Sequence, residues 1–562
     1  GRILAGETRR RGCAGTTKKG YVDMTDKIVG VAMSGGGYRA SAWGLGALLA
    51  LTDCRHPSAS GGAGNDVITP VPRMISSVSG GSITNAAFGL KLDIASSDPG
   101  AVDARAVGLA HYFAGVPKWW VRGLFAALAT LLVSVVLAIW FDDFALDWLI
   151  AAAIGSVVAG VIGLGSKDLL FGWWTTWFYV GIAVTGIAAI VYLFAEGQPW
   201  WATLGIVLFG VLLLLRPRAV QFAYSRYLKS INDHSAPTLA DLGVAGGDPE
   251  RNVIQVICAT ELSGANFLYL GTGFAGNDDL GVSDAPSTSV AAAAQASSNL
   301  PGAFPARFLR ASKLGFTEPA RRGQPVKKRG LVAVTDGGVY ENMGSQWFVG
   351  LDNRIANYRK AGPVGSTVVA GWPLPDIVCV ANASGLGGTV KTGSSMIPLL
   401  GELLSLLRVK TVLYEQTTSS RRRELVDRFD RHDPAGTLIH IKSTPLSIVF
   451  FALGLEHPPP PAPPDPRRVR AEAAKPKIDA VEQAFKADTG RDFRDLARDN
   501  AGVATALWPL GVDAMADVIW HAYLQTSINM HILHGTRLRL PPRAEFVGLV
   551  EETPRTIADH WA

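Results

Sequence analysis

The chain has 562 residues, enough for several domains and a sizeable core, and it is 48% hydrophobic and only 18% charged. That balance is the one membrane spans produce, because they add apolar mass without surface charge. A formal charge of +6, spread along the chain, excludes a nucleic-acid-style basic domain and leaves contact with an anionic membrane surface as its expected use.

Residues 1–24 form a basic N-terminal segment carrying Arg9, Arg10, Arg11, Lys18 and Lys19 without an apolar h-region, so no secretory signal is expected there. Ile28–Met33 reads as a short buried strand, and Ala40–Thr52 as a helix rich in Ala and Leu, with Ser34–Arg39 as the turn between them. Met74–Val78 reads as a second strand running into Ser79, and a helix is expected over Ile83–Leu90. The four cysteines, Cys13, Cys54, Cys258 and Cys379, are far apart with no CxxC pair and no histidine spacing suited to zinc. Reduced thiols in a cytosolic compartment fit that pattern.

Residues 123–141, 148–165, 169–195 and 199–215 contain no charged residue. A helix needs about 17–25 such residues to cross the hydrocarbon core, so the sequence predicts a transmembrane insert of four helices over 117–218. Tryptophans cluster near the ends of these stretches, where the indole suits the interface. Lys118, Arg122, Lys167, Arg216 and Arg218 fall on one side of an alternating topology; Asp142, Asp143, Asp147 and Glu196 fall on the other. The positive-inside rule makes the first side cytoplasmic. A multi-pass membrane protein with its catalytic domain on the cytoplasmic side is therefore expected, with residues 25–116 and 219–456 as two parts of one domain.

Beyond the insert, Val253–Ala259, Leu331–Val334, Ile377–Ala381 and Thr437–Ile441 are further β-branched apolar runs separated by helical or loop segments. Strands alternating with helices imply an α/β layered domain with a largely parallel sheet. Residues 457–467 are proline-rich and read as an extended linker. Residues 468–562 read as a helical C-terminal region, with Val512–Leu533 its most apolar element.

Three places carry chemistry. Ser77-Val78-Ser79-Gly80-Gly81 follows a strand and precedes a helix, the context of a nucleophile elbow, with Ser79 as the nucleophile. Gly35-Gly36-Gly37 follows another strand, and glycines there let N–H groups converge on an oxyanion; Gly80 is a further donor. Asp336 in Thr335-Asp336-Gly337-Gly338 ends a strand at a permissive turn and is the candidate base. Arg39 is positioned to add positive charge for a substrate phosphate. Gly35-x-Gly37-x-x-Ala40 also satisfies a dinucleotide-binding pattern, but no second strand ending in an acid follows about 20 residues later. None of the ten histidines sits in a motif, which leaves a triad through His440 or His521 open.

Together these motifs resemble the patatin-like phospholipase and cytosolic phospholipase A2-like serine lipase families. The matching residues are Gly35-Gly36-Gly37-Tyr38-Arg39, Ser79 and Asp336-Gly337-Gly338, and the stretch Ala296–Pro305 is similar to the segment that lines the site ahead of the base. The resemblance covers roughly 25–116 and 217–445. It implies a patatin-like three-layer α/β/α domain, interrupted by the insert, and a Ser-Asp dyad that cleaves lipid acyl esters through an acyl-enzyme without cofactor or metal. Ser77 stands where the family usually has the first elbow glycine. The expectation is thus a membrane-anchored serine acyl hydrolase. The alternatives are a catalytically silent lipid-binding scaffold of the same fold and a lipid acyltransferase. The expected partner is membrane lipid rather than nucleic acid, and the sequence sets no oligomeric state.

Overall fold

Short apolar runs bounded by glycine dictate the strands. The computed structural model describes residues 27–53, 72–90, 99–114, 217–243 (without 219), 253–316 (without 302 and 303), 330–384, 418–455 and 465–551 (without 504 and 506–509). The first half of the chain supplies β1 (Val29–Met33), α1 (Gly37–Asp53), β2 (Pro72–Val78), α2 (Gly80–Phe88), α3 (Pro99–Ala114) and a helix α4 over 220–230. Next come β3 (Ile254–Glu261), β4 (Asn266–Gly271), β5 (Phe274–Asn277), β6 (Gly281–Asp284), α5 (Val290–Ser297), β7 (Arg307–Arg310) and β8 (Leu331–Asp336). They are followed by α6 (Leu351–Lys360), α7 (Pro363–Val368), β9 (Ile377–Asn382), α8 over 418–430, β10 (Ala435–His440) and α9 (Ser447–Leu453). Four C-terminal helices close the described chain: α10 (Pro466–Thr489), α11 (Phe493–Gly502), α12 (Val512–His534) and α13 (Arg543–Glu551).

The strands join in one ten-stranded sheet, ordered β10-β9-β1-β2-β3-β4-β5-β6, with β8 also on β3 and β7 on β8. The largely parallel sheet expected from the sequence is corrected to a mixed one. From β10 through β9, β1 and β2 to β3 all pairings are parallel, whereas every pairing from β3 outward to β4, β5, β6, β8 and β7 is antiparallel. The physical reason lies in the links. Thr272 and Gly273 join β4 to β5 in a tight reversal with Gly273 at φ 73°, which a two-residue connection permits only between antiparallel strands.

Both faces of the parallel half are covered, so β1, β3 and β9 are buried at every residue rather than at alternate ones. Val29, Val31 and Met33 of β1 face one apolar cluster shared with α1, α2 and α12. Ala32 faces a second cluster with Trp347, Phe348 and Trp372. Helix α12 lies along α1, and Gly46 makes the close crossing possible, since a Cβ there would stand 2.2 Å from the carbonyl oxygen of Ile519.

The four-span insert and the multi-pass membrane placement are also corrected. Among the described residues, no helix is long and apolar enough to cross a membrane. The stretches 123–141, 148–165, 169–195 and 199–215 lie outside the described residues. The most apolar long helix of the C-terminal region, α12, meets protein rather than lipid: its Asp517 is 4% exposed and pairs with Arg491 at 2.8 Å and Arg543 at 2.5 Å. The proline-rich linker also ends earlier than expected, because Asp465 is the N-cap of α10, accepting from Arg467 N at 2.9 Å, and Pro466 occupies the first helical position, where no N–H is needed.

Candidate active site

The register of β3 explains how two residues 257 positions apart meet. Its first half pairs with β2, placing Val78 opposite Cys258, and its second half pairs on the same edge with β8, placing Asp336 opposite Ala259. Strand β2 runs parallel to β3 and β8 antiparallel, so their C-terminal ends arrive head to head. The next residue after Val78 is Ser79, and its Oγ donates to Asp336 Oδ2 at 2.7 Å.

Ser79 sits at φ 51° and ψ −120°, a backbone conformation that costs an ordinary side chain on the order of 1–3 kcal/mol and is stored where the surroundings enforce it. Those surroundings are hydroxyls and glycines. Ser79 N donates to Ser297 Oγ at 2.8 Å, and Ser297 Oγ donates to the Cys258 carbonyl at 2.6 Å. The Ser82 and Ser297 hydroxyls are also 2.8 Å apart. Gly80 cannot carry a side chain, since a Cβ would lie 1.9 Å from the Gly37 carbonyl oxygen. That closeness brings the N-termini of α1 and α2 side by side, and Ser41 Oγ fastens them by donating to the Gly80 carbonyl at 2.6 Å.

Helices α1 and α2 begin at Gly37 and Gly80, so their first N–H groups have no intrahelical acceptor and carry the positive end of each helix dipole. Gly36 at φ 142° and Gly37 at φ 63° adopt conformations that favour glycine. Of the sequence-predicted oxyanion residues, Gly37 and Gly80 thus meet at the start of α2 next to Ser79, with Gly36 preceding Gly37 in the loop. Gly35 contributes in another way. Its N–H is spent on the Asn342 carbonyl at 2.8 Å, and a Cβ would meet Asn342 Oδ1 at 2.3 Å and Ser79 Cβ at 3.0 Å. Its smallness lets the loop approach Ser79.

Asp336 is 1% exposed and is oriented from behind. Its Oδ1 accepts from Gly338 N at 2.7 Å, which leaves Oδ2 directed at Ser79. Its carbonyl accepts from Thr260 Oγ1 at 2.8 Å, and its N–H donates to the Asn299 carbonyl at 3.1 Å. Gly337 is required because a Cβ would come within 2.2 Å of the Cys258 carbonyl oxygen. Glycine is thus required at 337, whereas 338 supplies a backbone N–H.

Ser77 fits the elbow without disturbing it. It is fully buried, donates to the Val256 carbonyl at 3.2 Å and accepts from Asn85 Nδ2 at 2.8 Å. Arg39 is not among the residues brought to Ser79: its hydrogen bonds go to Ala501, Val503 and Thr505. His440 instead ends β10 at the edge of the sheet, and His521 lies on α12. His521 Nε2 contacts the Ser443 carbonyl at 2.9 Å and its Nδ1 lies 3.2 Å from Asn500 Nδ2, while His440 Nδ1 accepts from Lys442 N at 3.1 Å. Burial pushes each of them down to about 3, so both are neutral at pH 7.

Ser297 is the candidate-site residue that lies outside the three motifs, although its segment stands out. The available signal is a pair of hydroxyls at the end of an alanine run, Ala291–Ala294 and Ala296, where an apolar helix has no other use for them. Among the described residues, no group of three or more His, Cys, Asp and Glu side chains could hold a metal ion. No protein-family model matches the chain, and no curated protein matches it.

Proposed function

We propose that the chain is a serine acyl hydrolase acting on lipid acyl esters, with Ser79 as nucleophile and Asp336 as base. The observation that carries this reading is the 2.7 Å hydrogen bond from Ser79 Oγ to Asp336 Oδ2, made at a turn of φ 51° between two helix N-termini. A buried hydroxyl satisfied by a buried carboxylate could be structural. A strained turn beside two adjacent helix starts, whose first N–H groups lack intrahelical acceptors, supports a chemical explanation.

Ser79 Oγ attacks the ester carbonyl carbon while its proton passes to Asp336 Oδ2. The carbonyl oxygen takes up the electron pair as an oxyanion and accepts hydrogen bonds from the N–H groups of Gly36, Gly37 and Gly80. Collapse re-forms the carbonyl and breaks the ester bond, and Asp336 returns the proton to the departing alcohol. Water then attacks the acyl-Ser79 ester and gives its proton to Asp336. A second collapse expels Ser79, which recovers the proton, and the carboxylic acid leaves. The lipid nature of the substrate rests on the resemblance of the Gly35–Arg39, Ser79 and Asp336–Gly338 motifs to the lipase families.

The test is labelling by a fluorophosphonate probe together with turnover of a p-nitrophenyl ester by wild type, Ser79→Ala and Asp336→Asn. The expected result is an adduct on Ser79 in wild type alone and loss of turnover in both variants with unchanged circular dichroism. Retained turnover in either folded variant would refute the dyad. An unlabelled but folded wild type would leave the silent lipid-binding alternative.

A further inference from the structure

Arg39 follows the oxyanion glycines by two residues and is 4% exposed, yet every hydrogen bond it makes among the described residues reaches the C-terminal helices. Nη1 donates to the carbonyls of Ala501, at 3.4 Å, and Val503; Nη2 donates to Thr505 Oγ1 at 3.0 Å. Ala501 and Val503 stand at the C-terminal end of α11, where carbonyls lack intrahelical donors and the dipole favours a cation. The same guanidinium lies alongside the loop, since a Cβ on Gly36 would stand 3.4 Å from Nη2.

The end of α11 is itself fixed. Asn500 Nδ2 donates to the Asp517 carbonyl of α12 at 3.2 Å, and α12 in turn packs on α1 through Gly46 and through an edge-on contact of Trp43 with the His521 ring, centroids 4.9 Å apart. Helices α1, α11 and α12 thus form a closed ring with Arg39 as its link nearest the nucleophile. A cation spent in this way is poorly placed to greet a substrate phosphate. Burial lowers its pKa to about 10, which keeps it charged at neutral pH.

We infer that Arg39 is a positioning residue that clamps Gly36 and Gly37 in their oxyanion-binding conformation against the C-terminal end of α11, and that it does not bind substrate phosphate. This rests on the hydrolase reading above. It makes Ala501, Val503 and Thr505 supports of the oxyanion loop. Oxyanion donors must be held before the charge develops, so loosening them costs rate rather than ground-state affinity.

The experiment compares full-length wild type, Arg39→Met, Arg39→Lys and Thr505→Val on two soluble esters of equal acyl length, p-nitrophenyl butyrate and dibutyroyl phosphatidylcholine. Displacing the loop by about an ångström should lower kcat of Arg39→Met on the order of 10²-fold on both esters, with KM little changed. Lysine keeps the charge but cannot fork between the acceptors, so Arg39→Lys should recover part of the loss. Thr505→Val, which removes one acceptor, should lose activity several-fold in the same sense, and it carries the comparison together with Arg39→Lys if Arg39→Met does not fold. A loss confined to the phospholipid, or expressed in KM, would overturn the clamp in favour of phosphate binding, and unchanged kinetics would overturn it outright. A wild type inert to both esters and to the fluorophosphonate would remove the hydrolase reading, whereas an active wild type with unaffected variants removes the clamp alone.

Discussion

Replacing Ser79 by glycine and by alanine separates the strain of the elbow from its hydrogen bond. Both variants delete the Oγ that donates to Asp336 at 2.7 Å, so both lose that bond and leave Oδ2 without its donor. Only glycine releases the backbone, which at φ 51° and ψ −120° is unfavourable for any residue with a Cβ. The strain relieved is about 1–3 kcal/mol, and glycine's extra freedom in the unfolded chain takes back roughly 0.5–1 kcal/mol. Ser79→Gly should therefore be more stable than Ser79→Ala by about 1 kcal/mol, although neither hydrolyses ester. The assay is urea unfolding followed by tryptophan fluorescence, in which the two variants should share one m-value and differ in midpoint. An alanine variant as stable as the glycine variant would show that the turn is not strained, and the argument that Ser79 is held there for chemistry would lose its footing.

Ser297→Ala removes the acceptor for Ser79 N and the donor to the Cys258 carbonyl in a fully buried place, so it should cost about 2–4 kcal/mol. It should also slow fluorophosphonate labelling of Ser79 more than tenfold, a loosening of the nucleophile to which a merely structural hydroxyl would be indifferent. Burial holds His440 and His521 at about 3 and His534 at about 4, below the ordinary value near 6.5. The unfolded chain therefore binds protons first, and stability should fall with pH below about 6.5, by up to about 1.4 kcal/mol per pH unit for each histidine. Glu341, whose carboxyl burial pushes up, works in the opposite sense but is one group against three. The urea midpoint should thus drop between pH 7 and pH 5, and His521→Asn should flatten the slope; an unchanged midpoint would contradict the buried neutral rings. Cys258 and Cys379 are free, buried thiols pushed up to about 12, so both should resist iodoacetamide at pH 8 in folded protein and react once it is unfolded, as peptide mass mapping would show.

The parallel half of the sheet was legible where a strand is a buried apolar run ending in a turn residue, as in Val29–Met33 before Ser34 and Gly35, or Ile377–Asn382. The antiparallel half was not. β5 (Phe274–Asn277) and β6 (Gly281–Asp284) have four residues each, too few for a period of two to stand out from the glycines and aspartates around them. What makes them strands is the pairing of Phe274 with Gly271 and of Asn277 with Gly281, which sequence does not display. The long apolar stretches misled in a different way. Hydropathy and length describe a segment's distaste for water without naming what replaces it; among the described residues the most apolar long helix, α12, is covered by protein, and its Asp517, His521 and Gln525 find partners among Arg491, Arg543, Asn500 and the ends of other elements, while the stretches themselves lie outside the described residues.

The candidate site was legible to the extent that its demands fall on single residues. An elbow at φ 51° needs small neighbours, a Cβ on Gly80 would stand 1.9 Å from the Gly37 carbonyl oxygen and so excludes every other residue, and a Cβ on Gly337 would stand 2.2 Å from the Cys258 carbonyl oxygen. The sequence accordingly shows Ser-Gly-Gly and Asp-Gly-Gly. Arg39 fails the same treatment for a physical reason. A guanidinium beside glycines satisfies two incompatible descriptions, a hand extended to a phosphate and a bolt passed through the back of the loop, and its near neighbours in sequence are the same in both. The choice is made by the carbonyls of Ala501 and Val503, 462 and 464 residues away, whose need for a donor comes only from α11 ending where it does. Acceptors created by a helix terminus have no residue-type signature. A motif residue whose function is set by such acceptors can therefore be located from sequence, while its role follows only from the fold that brings the helix end to it.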